Sequence, residues 1–144
     1  MGTVINNWAQ DPQGICFGGN DMFFTTRNMA VLGLLYLNHG KLNDKQIVPE
    51  DWVKKSLAYS SSSSGEWGSF SNIGYGFLWW IGTLSNKNVF LAIGHGGQYV
   101  VCIPDLNMIV ATTSDPYLDW DTSDIHERAV LQIIADHIIP SAIN

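Results

Sequence analysis

One histidine lies among glycines where two apolar segments of the 144-residue sequence meet. The first apolar segment covers residues 90–93 and the second covers residues 99–103. Glycine allows a backbone to approach a ligand closely and to turn N–H groups toward it, and histidine titrates near neutral pH. The pattern predicts one wall of a reactive site. The candidate site residues are Gly94, His95, Gly96, Gly97 and Gln98.

The sequence lacks the nucleophile motifs that would complete such a site. No serine is followed three residues later by lysine, and Gly-x-Ser-x-Gly does not occur. Ser85 and Lys87 are two residues apart in a predicted turn, a spacing that does not put the two side chains on one helical face. Because acyl transfer through a covalent intermediate needs a nucleophile activated by a base, we expect a cleft wall without its attacking group.

Charge and composition argue against several other functions. The formal net charge is −6 with only seven lysines and arginines, which disfavours binding to a nucleic-acid backbone. Apolar segments fall short of the ~18 residues of a membrane span, so no membrane segment is expected in this chain. The N-terminal residues also lack the basic and apolar regions of a signal peptide, which leaves the cellular compartment open.

No metal or cofactor is expected from the spacing of the ligating residues. His126 and Glu127 near the start of the last helix, and His137 near its end, lack the spacing of a metal pair. The acids at positions 115, 119, 121 and 124 lack the alternation that ends in glutamate in a calcium loop, and are expected to form a solvated turn and cap. Cys16 and Cys102 lack a Cys-x-x-Cys pattern and are expected to be buried thiols.

The elements predicted around the histidine form an α+β fold, with an antiparallel sheet flanked by helices. We expect a single partial domain over residues 1–144. Its parts are an extended lead-in (1–24), a helical segment (25–58), a Ser/Gly-rich loop (59–74), antiparallel strands (75–114) and a turn with a C-terminal helix (115–144).

Local patterns support these boundaries. Thr25 is a suitable N-cap for a helix, and Pro49 with the acids after it begins a second helix. Strands are predicted over residues 75–81, 89–93, 98–103 and 108–113, with the last two joined by a tight turn. A final helix is predicted with Ser123 or Asp124 as its cap, continuing to Pro140.

The sequence resembles the C-terminal half of the serine β-lactamase-related family, which includes class C β-lactamases, D,D-peptidases, esterases and nylon-oligomer hydrolases. The segments that carry the resemblance, besides the histidine segment, are GGNDMFFTTRNMA (18–30), LYLNHG (35–40), KQIVPEDWV (45–53) and GYGFLWW (74–80). The resemblance spans roughly residues 8 to 139. It implies the C-terminal portion of a β-lactamase/transpeptidase-like fold.

The resemblance also implies a mechanism. The family uses a Ser-x-x-Lys nucleophile, a Tyr-x-Asn or similar proton-transfer element, and a glycine-bearing strand at the cleft edge. Only the strand is clear in this sequence, because Tyr36-Leu37-Asn38 falls in a stretch that belongs to the scaffold in the family. The implied activity of the whole protein is hydrolysis of an ester, amide or lactam through an acyl-serine intermediate, and this chain alone is expected to be inactive.

Two alignments of the histidine segment to the family's Lys-Thr-Gly or His-x-Gly triplet remain open. In one, residues 95–97 form the triplet, the His95 side chain replaces the lysine, and Gln98 supplies a backbone donor. In the other, residues 92–94 form the triplet, as in the nylon-oligomer hydrolase branch, and the His95 N–H is the oxyanion donor.

Three alternatives to a hydrolase fragment stay open. His95 is an ordinary loop histidine bonded to a carbonyl in the first, and it holds a carbonyl or carboxylate ligand in a non-catalytic binding module in the second. In the third, the chain is a complete small hydrolase in which a serine works with His95 and an aspartate such as Asp115. If strands from a missing N-terminal segment extend the sheet, the isolated chain should expose an unpaired edge and self-associate.

Overall fold

The protein is described by a computed structural model that covers residues 8–20, 22–58, 61–62 and 65–143. The helices are α1 (Thr26–Leu37), α2 (Glu50–Ser56), α3 (Trp120–Ile133) and α4 (Ile139–Ser141), with a π-helical turn at Ile134–Ile138 and a 3₁₀ turn at Pro104–Leu106. The strands are β1 (Lys41–Leu42), β2 (Lys45–Gln46), β3 (Ser61–Ser62), β4 (Phe70–Tyr75), β5 (Trp80–Leu84), β6 (Lys87–Gly94), β7 (Gln98–Ile103) and β8 (Met108–Thr112). The predicted α+β class is confirmed.

Strands β3 to β8 form one antiparallel sheet in sequence order, while β1 and β2 form a separate short hairpin. Each side of the sheet carries apolar residues because successive side chains of a strand point to opposite faces. Phe90 and Cys102 are partners facing α1, whereas Leu91 and Val101 face α3. The result is a three-layer arrangement of α1, the sheet and α3. The central strands are buried on both faces, so their residues do not alternate between apolar and polar.

Helix α1 begins as its sequence predicts. The Thr25 hydroxyl accepts a hydrogen bond from the Asn28 N–H at 3.2 Å, which satisfies one free donor of the first turn. The helix packs closely on β7 and β8 because Gly33 has no side chain: a Cβ there would lie 2.8 Å from a methyl of Val100. Tyr36 packs on Trp79 with ring centroids 4.7 Å apart, in agreement with its expected scaffold role.

The strand predicted over residues 75–81 is wrong, because the chain reverses within it. Tyr75 ends β4 and Trp80 begins β5, and the two residues are cross-strand partners. At the turn between them Leu78 has a φ of +65°, and a Cβ on Gly76 would lie 2.0 Å from the Ser56 carbonyl oxygen. The aromatic run resembles a continuous strand, but the glycine and the left-handed residue turn it into a hairpin.

The predicted loop over residues 59–74 is shorter than expected. Strand β4 begins at Phe70, whose side chain is fully buried, so burial of this aromatic outweighs the surrounding small polar residues. Ser61 and Ser62 pair with Gly74 and Tyr75 as β3. The other parts of the serine run, at positions 60, 63 and 64, lie outside the described residues.

Helix α3 begins earlier than predicted. Asp119, not Ser123 or Asp124, is its N-cap, and its carboxylate accepts from the Thr122 N–H at 3.0 Å and from the Thr122 hydroxyl at 2.7 Å. These two bonds, the backbone one first, hold the pKa of Asp119 below its usual value. The earlier start places Ser123 and Glu127 inside the helix, one turn apart.

Candidate functional site

The glycine corner, defined as residues 94–98, is the hairpin between β6 and β7. Gly94 and Gln98 are the last cross-strand partners, so residues 95–97 form the connection. Gly96 and Gly97 have φ values of +81° and +95°. A Cβ on Gly96 would also lie 2.3 Å from the Asp115 carbonyl oxygen, so only glycine fits there.

The His95 side chain points back into the protein. Its Nε2 lies 2.7 Å from the Leu118 carbonyl oxygen, and its Nδ1 lies 3.1 Å from the Ser123 hydroxyl oxygen. Since a carbonyl can only accept, Nε2 carries a proton and donates it to Leu118. Trp120 lies against the imidazole edge-to-face, with ring centroids 4.9 Å apart. Both ring nitrogens are therefore occupied by the protein itself.

Ser123 and Glu127 bind the corner from helix α3. The Ser123 hydroxyl oxygen accepts from the Gly96 N–H at 2.8 Å and donates to the Glu127 carboxylate at 2.6 Å. The Gly96 N–H also lies 2.9 Å from the same carboxylate oxygen. The Gly96 donor is thus used internally.

Ser123 touches the imidazole but is closed to solvent. It is 1% exposed, and its oxygen already has three partners in His95, Gly96 and Glu127. The apolar cavity on this side of the sheet, described below, is not lined by Ser123. A substrate carbonyl would have to displace this whole cluster to reach the hydroxyl. The Ser123 hydroxyl is therefore arranged as a member of a buried polar network.

The backbone N–H groups of His95 and Gly97 are the corner donors that the network leaves unused. Neither makes a hydrogen bond with any residue in the described parts of the chain. Their peptide neighbours are fixed, because the Gln98 side chain donates to the His95 carbonyl oxygen at 3.1 Å. Thr112 of β8 donates to the Gly97 carbonyl oxygen at 2.7 Å and accepts from the Tyr99 N–H at 3.1 Å. These contacts fix the corner, and two of its backbone N–H groups, those of His95 and Gly97, have no acceptor among the described residues.

Tyr99 packs beneath the corner as part of the core. Its side chain is fully buried, and its hydroxyl donates to the Glu127 backbone carbonyl at 3.1 Å. Burial, with the nearby Glu127 charge, raises the pKa of this phenol far above its ordinary value. Tyr99 is therefore a neutral structural donor.

An apolar cavity of about 360 Å³ opens beside the corner on the α3 face of the sheet. It is lined by Gly65, Glu66, Trp67, Phe70, Ile73, Trp80 and Ile93. Ile93 is two residues from His95, but the corner's polar groups do not line the cavity. The cavity and the His95 N–H are thus neighbours, because Ile93 of β6 lines the cavity and His95 follows the end of that strand.

Both cysteines are free thiols, but only one of them is buried. Cys102 lies between α1 and the sheet as expected, whereas the expectation of a buried thiol is wrong for Cys16, which is exposed in the segment before α1. Burial raises the pKa of the Cys102 thiol to about 12, so it stays protonated at neutral pH. Among the described residues no group of three potential ligands is placed to hold a metal ion, and no helix is long and apolar enough to cross a membrane.

The structure brings all five predicted site residues together at one hairpin and adds partners that the sequence did not reveal. Ser123 and Glu127 were assigned from the sequence to a helix cap and a failed metal spacing. Their i, i+4 spacing on one helical face was the available signal, but only the position of α3 against the corner shows its use. The Leu118 carbonyl has no side-chain signature at all.

In comparisons with known proteins, this fold is similar to part of a protein named as a hydrolase. No known family profile matches the chain. A solved Bacillus anthracis protein, whose name assigns it provisionally as a 6-aminohexanoate-dimer hydrolase, superposes with a TM-score of 0.64 at 25% identity, over 92% of this chain and 34% of that one. An uncharacterized protein of Alkalihalophilus pseudofirmus is 28% identical over 99 residues, which are 62% of this chain and 29% of that protein.

The structural match supports a β-lactamase-like hydrolase fold. The chain spans about a third of the length of these two proteins.

Proposed function

We propose that this chain is the C-terminal part of a β-lactamase-related serine hydrolase that opens an ester, amide or lactam through an acyl-serine intermediate. In this proposal the glycine corner is the cleft edge, and the His95 N–H is one donor to the oxyanion. The nucleophile comes from polypeptide that precedes these residues. The observation that carries the proposal is the unused His95 N–H on a rigid glycine corner. The fold that holds this corner is similar to part of a hydrolase.

The contacts of the imidazole favour the alignment in which residues 92–94 form the triplet. Both ring nitrogens are bonded to Leu118 and Ser123, so the side chain is not offered to a substrate. The N–H groups are the remaining donors, and the Gly96 N–H is spent on Ser123. A positioned N–H of this kind contributes about 2.7–4 kcal/mol to the transition state of acyl transfer.

The sealed state of Ser123 speaks against a complete small hydrolase. In that alternative a serine acts with His95 and an acid, and Ser123 does contact His95, with Glu127 rather than Asp115 as the adjacent acid. However, a nucleophile must be reached by the substrate, and Ser123 is 1% exposed.

A fluorophosphonate probe tests the proposal. The probe reacts with activated serines, so it should label a polypeptide that carries this sequence plus its natural N-terminal extension, and it should leave the 144-residue chain unlabelled. The matched control is the extended polypeptide with the serine of its Ser-x-x-Lys motif changed to alanine.

Three results would overturn the proposal. They are labelling of the short chain at Ser123, an extension without an activated serine, and no labelling of the extended form. The last two would favour the second candidate, a binding module that uses the corner to hold a carbonyl or carboxylate.

A further inference from the structure

The cluster of His95, Ser123 and Glu127 behind the corner makes more hydrogen-bond contacts than the protons of a neutral imidazole and one hydroxyl can fill. We propose that Ser123 and Glu127 are positioning residues that fix the corner through one additional proton, carried on Nδ1 of His95. The proposal concerns the same corner as the proposed function. Its proton count, however, holds whether or not the corner serves a reaction.

The count starts from the neutral imidazole. Nε2 must carry the single ring proton because it faces the Leu118 carbonyl oxygen at 2.7 Å. Nδ1 is then an acceptor, and it faces the Ser123 oxygen at 3.1 Å. The same oxygen faces Glu127 Oε1 at 2.6 Å. One hydroxyl proton cannot serve both contacts, so with an ionised Glu127 one of them would bring two lone pairs together.

The distances indicate where the additional proton lies. An O–H···O contact of about 2.5–2.7 Å is typical of a hydroxyl that donates to a carboxylate. The 2.6 Å contact fits this class, and Glu127 Oε1 also receives the Gly96 N–H, which favours the anion. Ser123 therefore donates to Glu127. Nδ1 must then donate to Ser123, which makes His95 an imidazolium paired with Glu127 through the serine.

The groups around the cluster do not compete with His95 for the Glu127 carboxylate. From β7, Tyr99 gives its hydroxyl proton to the Glu127 backbone carbonyl, not to the carboxylate. From the segment before α3, Leu118 and Asp115 present carbonyl oxygens to the corner. On α3, Arg128 is held by Asp124 at 2.8 Å and lies over Trp67.

No lysine or arginine of the described residues bonds to Ser123 or to the carboxylate of Glu127. His95 is thus the cation available to this half-buried carboxylate.

The consequence is a corner whose geometry depends on protonation. With Nδ1 protonated, the Gly96 N–H points into the cluster and its peptide plane is fixed, which also fixes the neighbouring His95 N–H. When Nδ1 loses its proton at higher pH, the single Ser123 hydroxyl proton can be donated either to Nδ1 of His95 or to the Glu127 carboxylate, but not to both. The contact between His95 and Ser123 then opens, and the corner loosens.

Nitrogen NMR of the 144-residue chain tests this directly. At neutral pH His95 should show two N–H type ring nitrogens, as an imidazolium does, and raising the pH should convert it to the neutral ring. The protection factor of the Gly96 amide against exchange should fall at least tenfold as Nδ1 loses its proton. A His95 that is neutral throughout, or a Gly96 amide indifferent to that titration, would overturn the proposal.

Variants separate positioning from general structure. In Glu127→Gln the anion is gone, so His95 should be neutral, with its proton on Nε2, at a pH where the wild type is an imidazolium. Glu66→Gln makes the same chemical change at an exposed carboxylate and should leave His95 unchanged. Ser123→Thr, which keeps the hydroxyl, should retain the Gly96 protection that Ser123→Ala loses.

Equal His95 titration in the wild type and Glu127→Gln would contradict the proposal. If Glu127→Gln does not fold, the wild-type titration decides alone. Neither readout depends on the fluorophosphonate result, so the two proposals can fail separately.

Discussion

At the scale of single residues, the corner depends on positions where only one amino acid satisfies the backbone. Gly96 combines a φ of +81° with a Cβ position 2.3 Å from the Asp115 carbonyl oxygen. Gly14 has a nearly identical φ of +82°, but nothing lies within 4 Å of its Cβ position. The two glycines therefore separate the cost of a left-handed backbone from the cost of a collision.

We expect Gly96→Ala to lower the free energy of unfolding by about 2–5 kcal/mol, the sum of a left-handed penalty and an overpacking penalty. Gly14→Ala should cost at most about 1–2 kcal/mol, because only the first penalty applies. Urea unfolding of both variants measures the difference. Equal losses would show that the contact with Asp115 does not constrain the corner.

Residue types predicted which residues lie together at the corner better than they predicted the direction of each side chain. His95 and its glycines were identified because a histidine between glycines is chemically unusual, and they do lie at one hairpin. The direction of the imidazole could not be predicted, since it depends on a carbonyl of Leu118 and a hydroxyl of Ser123 that are 23 and 28 residues away. Long-range contacts of this kind leave no local pattern.

At the scale of elements, the close packing of α1 on the sheet supports the strands that carry the corner. Gly33 is the only buried residue of α1, and a Cβ there would meet Val100, Cys102 and Ile109 at 2.8–3.0 Å. Alanine favours a helix over glycine by about 1 kcal/mol, whereas overpacking costs about 1–3 kcal/mol. The overpacking penalty should exceed the gain in helix propensity, because the atoms that the added Cβ would contact are held in strands.

Gly33→Ala should therefore destabilise the protein by up to about 2 kcal/mol in thermal or urea unfolding, despite the better helix former. Adding Val100→Ala removes the nearest methyl, so Val100→Ala should cost less in the Gly33→Ala background than in the wild type. Additive effects of the two substitutions would show that the helix can move away from the sheet without loss.

Periodicity and caps predicted most elements, and the failures have physical reasons. The helix at Thr26–Leu37 and the hairpin of β7 and β8 match their patterns, because capping and a tight turn are local. The aromatic run after Gly74 was misassigned as one strand because the residues of a hairpin and of a strand are both aromatic and β-branched. Its turn is set by contact of Gly76 with Ser56 in another element.

At the scale of the whole molecule, the chain has open surfaces. In the described parts of the chain β8 pairs only with β7, so its other edge is unpaired. Exposed large apolar residues include Trp120 at 83% and Tyr117 at 89%, both near the corner. Unpaired edges and apolar patches of this kind are templates for association.

We expect the isolated chain to self-associate, with an average mass by light scattering that rises between about 10 and 200 µM as surfaces of this kind pair. The extended polypeptide should remain monodisperse over the same range, because its own strands would occupy the edge. A monomeric short chain at the higher concentration would contradict this expectation.

The most direct test of the central claim is a crystal structure of the extended polypeptide after phosphonylation of its serine. The phosphonyl oxygen imitates the oxyanion, so it should lie about 2.7–3.1 Å from the His95 backbone nitrogen, with the imidazole still bonded to Leu118 and Ser123. A phosphonyl group that contacts the His95 ring, is attached to Ser123, or lies away from the corner would contradict the account.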